Sequence, residues 1–173
     1  MDELLSAQWL SEAQKIVGIN ISASKRWSTK LWPQQYLMRL CEELGLRDIR
    51  VVITGTSQDL PYADLLVSSL KSAKIINACG KTSVNELAAL IKKCDVFISA
   101  DSSPLHIASA VGTPFIALFG PTDSRRHLPP GKNYIVINKG LGCQPCYKTK
   151  CRSKRCMTEI TPEEVLAAID KLI

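Results

Sequence analysis

Asp101-Ser102-Ser103-Pro104-Leu105-His106 gathers a carboxylate, two hydroxyls and an imidazole at the start of an apolar helical pattern. Backbone N–H groups at a helix start, together with the helix dipole, favour an anion. Ser102 and Ser103 could equally be caps, the commonest role of serine at such a place. Asp101 could cap the turn, and His106 could be a structural histidine or a ligand contact. Thr82 and Ser83 stand at the corresponding place one helix earlier. Lys25, Arg26 and Lys30 follow the first apolar strand and could donate to a phosphate. Several hydroxyl-bearing turns with cations among them point to a nucleotide or another phosphorylated ligand. No G-x-G-x-x-G or P-loop lysine pattern is present, which argues against the usual dehydrogenases and kinases.

A second constellation lies near the C-terminus. Cys143-x2-Cys146-x4-Cys151-x4-Cys156 places four thiols within fourteen residues. Four thiolates at such spacing suit tetrahedral Zn²⁺ in a structural role. Reduced free thiols, two disulfides or an Fe–S cluster are the alternatives. Tyr147 with Lys148, Lys150, Arg152, Lys154 and Arg155 would also suit a zinc knuckle that binds nucleic acid. Cys41, Cys79 and Cys94 are scattered through apolar patterns, as buried free thiols would be.

The elements that must position these groups alternate. Residues 3–15 have helical spacing, and Ile16–Ile21 reads as a strand leading into the polar turn 22–30. A helix should run from Pro33 to about Leu44, with Gly45 stopping it. Ile49–Thr54 is the second strand, Gly55–Asp59 a turn, and Pro61–Lys71 a helix. A short strand at Lys74–Ala78 precedes a helix opened by the capping-box pair Ser83 and Glu86 and running to Lys93. Val96–Ser99, a helix over Leu105–Val111 closed by Gly112, and Phe115–Phe119 follow. Residues 123–133 read as a surface loop, Tyr134–Asn138 as the sixth strand, and Thr161 with Glu164 as the capping box of a terminal helix. Six short, nearly continuous apolar strands alternating with helices predict an α/β fold with a doubly wound parallel sheet. In such sheets, ligands bind at the carboxyl ends of the strands.

The chain has 173 residues, 46% apolar and 22% charged, which is enough for one domain with a full core. Its net charge of +6 fits either a soluble basic surface or an anionic partner. The acidic start Met1-Asp2-Glu3 is unlike a signal peptide, and no apolar run approaches the roughly 20 residues of a membrane helix. The expectation is a cytoplasmic protein.

The stretch ADSSPLHIASAVGTPFIALFGPT resembles the signature of glycosyltransferase family 9, the ADP-heptose:lipopolysaccharide heptosyltransferases. Lys30-Leu31-Trp32-Pro33, the segment GKTSVNELAALIKKCDVFISADS and the cysteine tail through Val165 extend the likeness to about residues 16–173. The resemblance implies the C-terminal, Rossmann-like donor-binding domain of a GT-B enzyme, with residues 1–15 as a connecting helix. It implies an N-terminal domain outside this chain that carries the acceptor site and the catalytic base, so that this half alone is inactive.

The same resemblance implies donor-binding roles. Lys30 would contact the pyrophosphate, assisted by Ser22 and Ser24. Thr82 would line the adenine pocket, and Asp101, Ser102, Ser103 and His106 would surround the diphosphate and sugar. Asp59 would be the nearest candidate for the ribose, and Lys25 or Arg26 could substitute for Lys30 in a lengthened loop. The implied reaction is inverting transfer of heptose from an ADP-sugar to the lipopolysaccharide core, with no cofactor required for catalysis. The implied setting is the cytoplasmic face of the inner membrane, with peripheral membrane contact and no nucleic-acid partner. Rival readings are the nucleic-acid-binding zinc knuckle and a sugar-nucleotide-binding protein without transfer activity.

Overall fold

The computed structural model describes residues 14–70 and 74–173. The expected helix over 3–15 therefore lies outside the described residues, apart from its last two positions. Six strands form one sheet: β1 Ile16–Asn20, β2 Arg50–Thr54, β3 Ile75–Asn77, β4 Val96–Ala100, β5 Phe115–Phe119 and β6 Tyr134–Asn138. The order is β3-β2-β1-β4-β5-β6, and every pairing is parallel. The chain first builds outward from β1 to β3, then returns to β4 on the other side of β1. Connections therefore leave β1 and β4 in opposite directions, which opens a crevice beyond their carboxyl ends.

Helices α1 Gln34–Leu46, α2 Leu60–Ser69, α3 Val84–Lys92, α4 Ser103–Val111 and α7 Pro162–Ile169 cover the sheet. Side chains alternate across a strand, so the strands feed cores on both faces, among them a small cluster of Ile16, Val52, Ile76 and Leu90. Val17, Ile19, Val51, Ile53, Val96, Ile98, Ile116 and Leu118 join Leu37, Leu40 and Leu44 of α1 and Val165 and Ile169 of α7 on one face. Phe97, Phe115, Ala117 and Phe119 pack with Ile91 of α3 and with Leu105 and Ala108 of α4 on the other. At Gly18 a Cβ would lie 2.6 Å from the Phe97 ring, so only glycine lets β1 pass this aromatic.

The capping boxes at Ser83/Glu86 and Thr161/Glu164 both form, and Gly112 ends α4 with φ 78°. Gly45 does not stop α1. Leu44 beneath it is fully buried, and the helix continues to Leu46 before Asp48 makes the left-handed turn at φ 57°. Aspartate tolerates that region better than most residues. The stretch 123–133 is not all loop, because it contains the short helix α5 Ser124–His127. Another short helix, α6 Arg155–Thr158, follows the cysteine segment.

Candidate functional site

The crevice between β1 and β4 is built from polar residues at strand ends. Asn20 closes β1, Ser99 lies near the end of β4, and both are buried. The Asn20 amide nitrogen lies 2.9 Å from the Ser22 carbonyl, 3.3 Å from Ser99 Oγ and 3.2 Å from Ser102 Oγ. Ser99 Oγ donates to the Ala100 carbonyl at 2.8 Å and lies 2.9 Å from Ser102 Oγ. One amide thus joins the loop after β1 to the loop after β4.

Ser102 has the backbone of an N-cap, but its side chain caps no N–H of α4. It serves the Asn20 network instead. The first turn of α4 therefore points its N–H groups toward the crevice edge without a side-chain cap.

Lys30 stands at the end of a 3-10 segment, Lys25–Lys30, interrupted at Trp27. Its Nζ lies 2.7 Å from Asp101 Oδ2 and 3.1 Å from the Asp101 carbonyl oxygen. The Trp27 ring centroid is 4.7 Å away, within cation–π range. Side-chain exposure is only 14% for Lys30 and 9% for Asp101, so the pair is largely sheltered from water. The resemblance placed both residues at the ligand; in the structure they are bonded to each other.

Two cavities flank this network. The larger, about 660 Å³, is lined by Ser22, Ser24, Lys25, Ser102 and Ser103, with Thr54 to Thr56 and Gln58 across from them. The smaller, about 170 Å³, lies beside Lys30 and is lined by Ile19, Trp32, Tyr62 and Asp59 among others. Asn20, Ser22 and Gln58 border both. Asp59 is committed locally, its Oδ2 accepting from the Thr56 N–H at 2.8 Å and from its hydroxyl at 2.7 Å. Gln58 therefore reaches the larger cavity where Asp59 does not. Arg26 and His106 are exposed and Thr82 is partly exposed, and they line neither cavity.

Sequence reasoning missed Asn20, Ser99, Trp27 and Gln58. A usable signal existed for the first two. Asn20, Thr54, Asn77 and Ser99 are polar residues in or ending otherwise apolar strands, and all are buried.

The cysteine segment packs behind the Lys30 loop. Cys143, Cys146, Cys151 and Cys156 line one cavity of about 460 Å³, and Thr29 and Pro121 line it too. All seven cysteines are free thiols, and Cys41, Cys79 and Cys94 are buried, as their apolar settings suggested. Burial pushes each of those three thiols up to about 12. Among the described residues, no three His, Cys, Asp or Glu side chains are grouped so that they could hold a metal ion. The four clustered thiols share a cavity wall without converging on one point.

This segment is tied to its surroundings by named bonds. Buried Thr29 donates through Oγ1 to the Lys148 carbonyl at 2.9 Å, and Lys154 Nζ donates to the Ser28 carbonyl at 3.2 Å. At the other side, the Cys146 and Tyr147 N–H groups both donate to the Pro121 carbonyl, at 3.0 and 2.9 Å. Gln144 Nε2 donates to the Gly120 carbonyl at 2.6 Å.

A doubly wound sheet with a polar crevice at its switch point is shared by many nucleotide-binding folds; comparison with known proteins narrows the choice. The model of glycosyltransferase family 9 (heptosyltransferase) matches residues 3–157. The chain belongs to glycosyltransferase family 9. Lipooligosaccharide heptosyltransferase 2 of Campylobacter jejuni serotype O:6 is 31% identical over 169 residues, covering 94% of this chain and 53% of that protein. The solved family 9 glycosyltransferase of Veillonella parvula superposes with a TM-score of 0.83 at 25% identity, covering 99% of this chain and 49% of that one. The E. coli ADP-heptose LPS heptosyltransferase II shares the fold with a TM-score of 0.81 at 24% identity, over 99% of this chain and 50% of that one. The chain thus spans about half the length of the curated relatives it matches.

Proposed function

We propose that this chain is the donor-binding half of an inverting heptosyltransferase that moves heptose from ADP-heptose to a lipopolysaccharide core. Residues 16–173 form the Rossmann-like donor domain in this reading, and residues 1–15 the connecting helix. The observation that carries it is the crevice between β1 and β4, where two serines and an uncapped helix start border the larger cavity and a sheltered ammonium borders the smaller one beside it. Those groups suit a diphosphate: the helix start and Lys30 would stabilise negative charge that grows on the leaving group as the glycosidic bond breaks. The curated relatives' names support the transfer and the acceptor class. Ser22, Ser24, Ser102 and Ser103 would hold phosphate oxygens, with Lys25, which lines the larger cavity, or Arg26, which lies outside it, in reserve. Thr82 would meet the adenine, and His106 the sugar. Gln58 competes with Asp59 for the ribose, because Gln58 borders the larger cavity and Asp59 is held by Thr56.

The base that deprotonates the acceptor hydroxyl would come from a further domain. The acceptor's phosphorylated sugars, the inner-membrane face and peripheral membrane contact belong to the same proposal, and the +6 charge supports them. The described residues contain no helix long and apolar enough to cross a membrane.

Zinc at Cys143, Cys146, Cys151 and Cys156 is a separate proposal, supported by their common cavity. It requires the segment to contract around the metal. One equivalent of zinc in the purified chain would support it, and metal-free protein would rule it out.

The donor reading is tested by calorimetry with ADP and UDP. Replacing Lys30→Met together with Asp101→Asn removes both charges while keeping volume, so the fold should survive. The expected result is ADP binding by the native chain, weaker UDP binding, and at least about a tenfold loss for ADP in the double variant. Absence of ADP binding, or equal binding by the double variant, would overturn the reading.

A further inference from the structure

We infer that Thr29 is a positioning residue for Lys30, and that the cysteine segment is the anvil against which it holds. The inference rests on the donor reading above. It begins from a burial that the donor reading does not explain. Thr29 is 1% exposed, although its neighbours Ser28 and Lys30 face solvent or the crevice edge. A threonine in a polar loop has no hydrophobic reason to be that deep. Its Oγ1 is satisfied by one long-range bond, 2.9 Å to the carbonyl of Lys148. The bond joins positions 119 apart in sequence and crosses from the Lys30 loop to the cysteine segment. Lys154 reinforces it one residue earlier, on the Ser28 carbonyl.

The segment is a firm support because its far side is fastened to the end of β5. Pro121 accepts two of its N–H groups, and Gln144 reaches the Gly120 carbonyl. A path of hydrogen bonds therefore runs from the carboxyl end of β5, through the cysteine segment, to the residue before Lys30.

The consequence concerns where the ammonium stands. Lys30 has a long, rotatable stem, and its orientation depends on the backbone that carries it. Asp101 and Trp27 fix the head, and Thr29 fixes the base of the stem. Losing the Thr29 hydroxyl would leave the Lys148 carbonyl without its partner and free the loop to shift by fractions of an ångström. Binding of a diphosphate would then have to order the loop, and affinity would fall. In an intact transferase the same displacement would weaken leaving-group stabilisation.

The test is a binding cycle read by calorimetry with ADP on the full 173-residue chain. Thr29→Val keeps shape and removes the donor. It should weaken ADP binding about threefold to tenfold, the size expected when binding has to order one more side chain and its loop. Thr29→Ser restores the donor and should bind within about twofold of the native chain. Combined with Lys30→Ala, Thr29→Val should cost little more, because two residues acting through one contact are not additive. Lys154→Met, at a half-buried side chain, removes the second bond and should weaken binding in the same direction. If the native chain fails to bind ADP, the donor reading itself fails. If it binds and Thr29→Val binds equally well, or costs the same in the Lys30→Ala background, Thr29 is only structural and the inference fails. If Thr29→Val does not fold, the outcome passes to Lys154→Met, and unchanged ADP affinity there would overturn the proposal.

Discussion

Lys30 and Asp101 hold each other in a place that water reaches poorly. A sheltered ion pair is weak evidence of stability, because desolvating two charges offsets much of their attraction. Breaking one side is another matter, since it strands a single charge. Lys30→Met alone should therefore destabilise the chain more than Lys30→Met with Asp101→Asn. We expect roughly 1–3 kcal/mol between them, below the value for fully buried pairs because both residues keep some exposure. Thermal or urea unfolding of both variants checks this. Equal stability would mean that the pair is solvated in solution. None of this pairing was legible in the sequence, where Lys30 and Asp101 are 71 positions apart. Each was visible as a charged residue beside a strand end, but their contact depends on β1 lying beside β4.

At the scale of elements, the signals that worked were local. The bounds of β5 and β6 and the start of α7 match the sequence reading residue by residue. Continuous apolar runs and a capping box are complete within a few residues. Gly45 misled because the burial of Leu44 outweighs the cost of one glycine in a helix. The α7 capping box gives a pH-dependent prediction. The Glu164 carboxylate accepts from Lys139 at 2.7 Å and from the Thr161 N–H at 2.9 Å, and these bonds hold its pKa below the usual carboxylate value. A depressed folded pKa means that the stabilisation is complete above the unfolded pKa, about 4.3 for glutamate. It disappears as pH falls through the lower folded value. Glu164→Gln should thus lower stability by roughly 0.5–1 kcal/mol at neutral pH, an estimate reduced for its exposed side chain. The gap should close as the pH falls below about 4. Melting curves of both proteins from pH 7 to pH 3 give the comparison, and a gap that persists at the acid end would refute the assignment.

At the scale of the whole molecule, α/β class, parallel pairing and strand count were readable from alternation alone. The strand order was not, because it is decided by which faces bury which strands. Three buried clusters, spread over both faces, make the sheet the rigid part on which the crevice loops are mounted. The donor proposal makes a prediction for the chain as a unit. It should bind ADP and give no heptose transfer by itself, while mixing or fusing it with an N-terminal family 9 half should restore transfer. Turnover by this chain alone, measured as ADP release with an acceptor present, would place the base among these residues and contradict the proposal.

The Asn20 amide has two hydrogens and three oxygens within reach. Ser99 gives its own hydrogen to the Ala100 carbonyl, so its oxygen is left to receive. With Asn20 directed at the Ser102 oxygen, the Ser102 hydroxyl must turn its hydrogen either inward to Ser99 or outward to the crevice. The network therefore has a polarity. An arriving oxygen that accepts can take the Ser102 hydrogen at the cost only of the Ser102–Ser99 bond, with Asn20 still donating into the network, whereas an arriving donor would compete with Asn20. A single buried amide thus biases the crevice toward guests that present oxygen lone pairs.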